Sequence, residues 1–179
     1  MRDILLVSAT KLEHHEDTLN GCPIHIIGVG KVQAAINTTK LIAKYKPKIV
    51  VNFGSCGNLK DHKVGEVLEI GTVYNDFETY GLIDCPPIKF GNSDQFKCFT
   101  TDLFYDSTKD DYSQSYLQKI NECNVVDMEL YSIAKSCLDA GIFLYCYKWV
   151  SDDGNHKSWK ENAALGYNNF KTIINERFS

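Results

Sequence analysis

Runs of apolar residues, and changes in their period, divide this chain into alternating elements. Residues 4–7, 24–27, 49–51 and 142–150 are short, nearly unbroken apolar runs, read as strands buried on both faces. After Val125-Val126-Asp127-Met128-Glu129 the period changes. Leu130, Ile133, Ala134, Cys137 and Leu138 recur at helical spacing, and Gly141 stands where a helix usually stops. A second helix opens at Gly28-Val29-Gly30-Lys31, carries Val32, Ala35, Ile36, Thr39 and Ala43, and closes before Pro47. Strand, helix and strand in this order predict a parallel sheet with a right-handed crossover. Segments 64–70 and 72–77 read as two strands about a glycine, 96–99 as a short strand and 113–120 as a helix. A C-terminal helix is expected from Trp159, packing Ala163, Phe170, Ile173 and Ile174. Residues 81–95, with Pro86-Pro87 and Gly91-Asn92, read as a surface loop.

The fold class this predicts is α/β: a central mixed, mostly parallel twisted sheet flanked by helices in a three-layer sandwich. The 179 residues are enough for one domain with a real core, and no repeat or linker divides them, so 1–179 is read as one domain.

Composition narrows the function. A formal net charge of −4 argues against a nucleic-acid or anionic-membrane surface. No stretch is long and apolar enough to cross a bilayer, and the opening run is too short for a signal peptide. Seven cysteines, an odd number without a C-x-x-C pair, fit a reducing, cytoplasmic compartment and a chain without disulfides. No Cys/His spacing suggests a metal, and nothing calls for a cofactor. The only arginines are Arg2 and Arg177, so a mid-chain site gripping phosphate with guanidinium forks is not expected.

Glu13, Gly28-Val29-Gly30, Gly54-Ser55-Cys56-Gly57, Glu129 and Ser151-Asp152 all stand at predicted strand ends. In an open α/β sheet such ends lie along one edge, so these groups can converge. Three carboxylates without metal ligands suggest acid/base work on a bond that breaks with positive charge, as a glycosidic bond does. Each signal has a plainer reading. Glu129 could cap its own helix, and either glycine loop could be only a tight turn.

The ordered set Glu13, Gly28-Val29-Gly30-Lys31-Val32, Asn52-Phe53-Gly54-Ser55-Cys56-Gly57, Val126-Asp127-Met128-Glu129 and Ser151-Asp152 resembles the purine nucleoside phosphorylase/nucleosidase superfamily. It looks most like the 5'-methylthioadenosine/S-adenosylhomocysteine nucleosidase branch, in a shortened form. The resemblance covers nearly the whole chain and implies a nucleoside phosphorylase-like fold. It also implies hydrolysis of the N-glycosidic bond of an adenine nucleoside. Glu129 would bond the ribose hydroxyls, with Met128 under the sugar. Asp152 would protonate the purine imidazole nitrogen, and Glu13 would activate water. Phe104 would stack on the purine and the backbone of Tyr105 would read its edge, although core packing and a rim position account for these two equally simply. Ser55, Cys56, Gly57, Asp127, Ser151 and Lys148 complete the substrate-binding set that the resemblance implies. A homodimer or higher homo-oligomer is expected on the same ground.

This chain departs from the pattern at several points. Asp127 stands where the nucleosidases often have Glu, and Lys148 where they often have Arg. Residues 81–96 are where length is missing. Cys56 resembles the phosphorylase version of its turn. Asn52 holds the position of an arginine in related hexameric phosphorylases, which with Glu13 favours water over phosphate as nucleophile. A phosphorolytic enzyme, a nucleosidase for another purine nucleoside, and a nucleoside-binding protein without turnover are the alternatives.

Overall fold

The computed structural model describes residues 3–76, 85–93, 95–106, 108–109 and 112–178. The strand end expected at residue 77, and residues 81–84 and 94 of the expected loop, lie outside that set. The elements in chain order are β1 (Ile4–Ser8), a 3-10 turn (Lys11–Glu13), β2 (Thr18–Leu19), β3 (Cys22–Ile26), α1 (Lys31–Tyr45), β4 (Ile49–Asn58) and β5 (Val67–Asn75). They continue with β6 (Ile88–Lys89), β7 (Phe96–Thr100), α2 (Gln114–Asn121), β8 (Val125–Asp127), α3 (Leu130–Ala140), β9 (Phe143–Asp152), α4 (His156–Asn162) and α5 (Tyr167–Phe178).

Strands β3, β1, β4 and β9 run parallel, the arrangement expected from buried apolar strands joined by a helix. Alternate residues of these strands feed two cores. Leu5, Val7 and Val50 pack with Ala34 and Ile42 of α1 and with Leu130, Ile133, Ala134 and Cys137 of α3. Leu6, Val51 and Phe53 pack with Tyr167, Phe170 and Ile174 of α5. The fold is therefore mixed α/β, with helices on opposite faces of the sheet.

The sheet itself differs from a simple flanked one. Strand β4 pairs with β8, β8 with β7, β7 with β5, β5 with β9 and β9 again with β4, so five strands close a ring. The β4–β8 and β5–β9 pairings are antiparallel. Closure follows from length: β4 and β9 are each ten residues long and outrun their partners. A register shift between Cys56 and Gly57 bends the pair.

Four further expectations are corrected. The segment 52–57, read as a turn because of its glycines, is the second half of β4, held in a strand by neighbours on both sides. Where two strands about a glycine were expected, Val67–Asn75 is one strand, β5, irregular where Ile70 gives way to Thr72. The C-terminal helix is two helices, α4 and α5. Between them Gly166 passes so close to Trp149 that an added Cβ would lie 2.3 Å from its side chain. Finally, α1 buries Ala34, Thr38 and Ile42, while Val32 and Ile36 are 69% and 46% exposed. The inner face is the one that meets α3, so Val32 and Ile36, on the other side of the helix, face outward.

Candidate active site

The expected residues converge where the carboxyl end of β4 meets the carboxyl ends of β1, β8 and β9. Because β8 runs antiparallel to β4, with Gly57 opposite Val126, its carboxyl end lies beside Cys56. There it meets the turn after β1 and the end of β9. A cavity of about 290 Å³ opens at this junction, and Glu13, Glu129 and Asp152 all line it.

Glu13 is built into the fold. Thr10 caps the short 3-10 turn and Glu13 closes the capping box. Its Oε2 accepts from the Ser8 hydroxyl at 2.6 Å and from the backbone of Ala9 and Thr10. Its Oε1 accepts from the Ser55 backbone and hydroxyl, each at 2.8 Å. The carboxylate lies over Gly54, where a Cβ would sit 2.6 Å from Oε1. The glycine is there for that approach, not for a turn.

Glu129 is equally buried but differently held. Its Oε1 accepts one bond, from the backbone N–H of Gly30 at 2.9 Å. Gly30 sits at φ +87°, which a side chain would strain, and this geometry aims its N–H at the carboxylate. Burial, then the neighbouring Asp127 carboxylate, push Glu129 up to about 7, against the opposing pull of Lys148 and Gly30. Glu129 does not cap α3 with its side chain. Asp127 does that work: its Oδ2 accepts from Leu130 N at 2.9 Å.

Asp127 also takes the Thr100 hydroxyl at 2.7 Å and forms a fully buried ion pair with Lys148 at 2.8 Å. Lys148, 2% exposed, stays charged despite its burial because Asp127 faces it. Lys148 does not line the cavity, so its part is to hold Asp127. Ser151 is likewise set back from the lining. Its hydroxyl lies 2.8 Å from Asp152 Oδ2 and 3.0 Å from the Cys56 carbonyl, with one proton for two acceptors. A proton on Asp152 completes both bonds. Burial raises Asp152 above the ordinary carboxylate range, against the bonds from Gly154 N and Ser151 that favour its charged form.

Phe104, Tyr105, Ser55, Cys56, Gly57, Asp127 and Met128 line the cavity as expected. A Cβ at Gly57 would meet the Val126 side chain at 2.9 Å and stand 3.4 Å from Asp152 Oδ1. Val29, of the expected Gly28-Val29-Gly30 group, also lines it, and the sequence reading missed Thr101, His156 and Trp159, which do so too. His156 meets Phe104 edge to face at 5.4 Å, and Trp159 adjoins His156 at the same distance. The aromatic residues just after Ser151-Asp152 were the available signal. Asn52 is buried inside the sheet, bonded to Val7 O and Cys146 Sγ. Among the described residues no lysine or arginine lines the cavity, no group of His, Cys, Asp and Glu could hold a metal ion, and no helix is long and apolar enough to cross a membrane.

Known proteins share this organisation. A family model described as the phosphorylase superfamily matches residues 11–96. A 5'-methylthioadenosine/S-adenosylhomocysteine nucleosidase of Staphylococcus aureus (strain bovine RF122 / ET3-1) is 33% identical over 152 residues, covering 72% of this chain and 67% of that protein. Among solved structures, the 5'-methylthioadenosine/S-adenosylhomocysteine nucleosidase of Neisseria meningitidis in complex with methylthio-immucillin-A superposes with a TM-score of 0.79 at 18% identity, covering 97% of each chain. The futalosine hydrolase of Helicobacter pylori strain 26695 gives 0.78, also at 18% identity and 97% of each chain. On the strength of the staphylococcal relative, the chain belongs to the phosphorylase superfamily, alongside the 5'-methylthioadenosine/S-adenosylhomocysteine nucleosidases.

Proposed function

We propose that this protein is a purine nucleosidase that hydrolyses the N-glycosidic bond of an adenine nucleoside, 5'-methylthioadenosine or S-adenosylhomocysteine, to adenine and the ribose product. The observation that carries the reading is the meeting of three buried carboxyl groups, in different hydrogen-bonding environments, around one cavity of about 290 Å³. The names of the staphylococcal relatives support the substrate.

In this reading the purine lies against Phe104, with the Tyr105 backbone at its edge and Met128 under the sugar. Asp152 gives its proton to the imidazole nitrogen as the C1'–N9 bond breaks, so the bonding electrons leave with a neutral base. Burial favours the protonated form of Asp152 and keeps that proton in the site; the protonated carboxyl can then donate to the Ser151 hydroxyl, which in turn donates to the Cys56 carbonyl. The ribose is left as an oxocarbenium ion, and Glu129, ionised, faces it and binds the hydroxyls. Water adds to C1' and passes a proton to Glu13. Lys148 and Asp127 position this constellation from behind, and Ser55, Cys56 and Gly57 form its floor.

Water is the nucleophile in this account because the described lining carries no lysine or arginine to receive a phosphate dianion. The whole chain, 1–179, acts as one nucleoside phosphorylase-like domain, with the layered α/β sheet as its frame. A homodimer belongs to this reading on the family resemblance, and Val32, Ile36, Leu103 and Leu12 are apolar residues exposed on the single chain.

Incubation with 5'-methylthioadenosine, with and without phosphate, tests the reading. Adenine released at the same rate without phosphate is expected. Release only with phosphate makes the protein a phosphorylase, and binding without release makes it a nucleoside-binding protein.

A further inference from the structure

Trp159 lies outside every motif that pointed to the site. Its helix, α4, is fastened to β9: Asn162 Nδ2 bonds the Ser151 carbonyl at 2.9 Å, and Trp149 Nε1 bonds the Ala163 carbonyl at 2.8 Å. So held, Trp159 places its indole Nε1 3.0 Å from the Ser55 hydroxyl, across 104 residues of sequence. Ser55 Oγ stands in turn 2.8 Å from Glu13 Oε1.

The direction of these bonds is not free. An indole nitrogen only donates, and a serine hydroxyl has one proton. Ser55 must accept from Trp159 and must give its own proton to Glu13. We propose that Trp159 is a positioning residue for Glu13: its indole N–H fixes the Ser55 hydroxyl so that it always donates to Oε1. The inference rests on the nucleosidase reading, and it adds a residue of the cavity wall to the handling of the attacking water. Without the indole donor, Ser55 is free to turn toward water or the ribose. Glu13 then loses its fixed donor for part of the time, and the water loses its fixed acceptor. The same side chain adjoins His156, and through it Phe104, so the wall that would flank the purine is continuous with the donor chain to Glu13.

The experiment is a double-mutant cycle on adenine release from 5'-methylthioadenosine, with Trp159→Phe, Ser55→Ala and both. Phe keeps the aromatic wall and removes only the donor. Loss of one neutral hydrogen bond predicts a fall in kcat of about three- to tenfold with KM within about twofold. The double variant should match Ser55→Ala alone. A Trp159→Phe enzyme with wild-type kcat overturns the proposal, as does an undiminished Trp159 effect in the Ser55→Ala background. A second measurement leaves α4 untouched. The chain has two tryptophans. Ser55→Ala should shift the indole N–H resonance of Trp159 and spare that of Trp149, and a Trp159 resonance that does not move refutes the bond. A wild type that releases no adenine is a different failure: it removes the nucleosidase reading, and the coupling falls with it.

Discussion

Two glutamates of this protein are almost equally buried, at 4% and 6% exposure, and are built in opposite ways. The end of β1, the turn after it and the facing stretch of β4 together surround Glu13 with five donors, two of them hydroxyls, over a glycine that makes room. The β8–α3 junction offers Glu129 one backbone N–H and sets a second carboxylate beside it. The fold satisfies the first group, whereas the second costs it stability. The difference teaches where strain is stored in this site: not in the carboxylate that holds the turn together, but in the one that would face positive charge when the glycosidic bond breaks.

The largest effects break the chemistry on the strained side. Glu129→Gln keeps the bond from Gly30 and loses the charge, so turnover should fall about 100- to 1000-fold with little change in nucleoside binding by calorimetry. Asp152→Asn should do comparable damage. Its amide can still accept from Gly154 N and donate to Ser151, so the geometry survives while the transferable proton is gone.

Stability should then separate the two glutamates in sign. At position 13 an amide must turn its NH2 toward donors whichever way it points, so Glu13→Gln should destabilise the protein by about 3 kcal/mol in urea. Glu129→Gln should instead stabilise it at pH 8, by on the order of 3 kcal/mol, as its pKa falls from about 7 to the ordinary 4.5 on unfolding. The sign follows from proton counts. Between these values the folded state binds more protons than the unfolded one, so wild-type stability falls as pH rises from about 4.5 to about 7. The variant should lose that slope, and thermal melts across the range would reveal it.

Gly54→Ala is a smaller, steric version of the Glu13 test, since its Cβ would meet Oε1 at 2.6 Å. About 2 kcal/mol of stability should be lost, with a drop in turnover larger than any change in KM. The smallest effect is expected at the mouth. Lys31 bonds Asn75 and ion-pairs with Asp76 and Asp102, tying the turn after β3 to the loop that carries Phe104 and Tyr105. Lys31→Met should raise KM about two- to fivefold and leave kcat nearly alone, since it removes ion pairs at the rim, one largely shielded and one with the exposed Asp102.

Much of this site was legible in the chain because its carboxylates follow apolar runs. Glu13, Glu129 and Asp152 each stand just past a stretch that could only be a buried strand. What was not legible depended on partners far away in sequence. The 52–57 segment is weak in strand propensity and becomes strand only because β8 and β9 flank it. The face that α1 buries is the one that meets α3, which the size of its apolar residues does not report. Asp127 looked like a ligand for substrate, yet two of its bonds go to Thr100 and Lys148, at distances no local pattern reports. Trp159 read as the first residue of a packed helix, and nothing nearby signals Ser55.

An experimental structure with adenine soaked into the cavity tests the central claim most directly. The account predicts the base against the Phe104 ring, with its imidazole nitrogen at hydrogen-bond distance, about 3 Å, from the Asp152 carboxyl. Adenine bound away from Asp152, or turned with its six-membered ring toward that carboxyl, would contradict it.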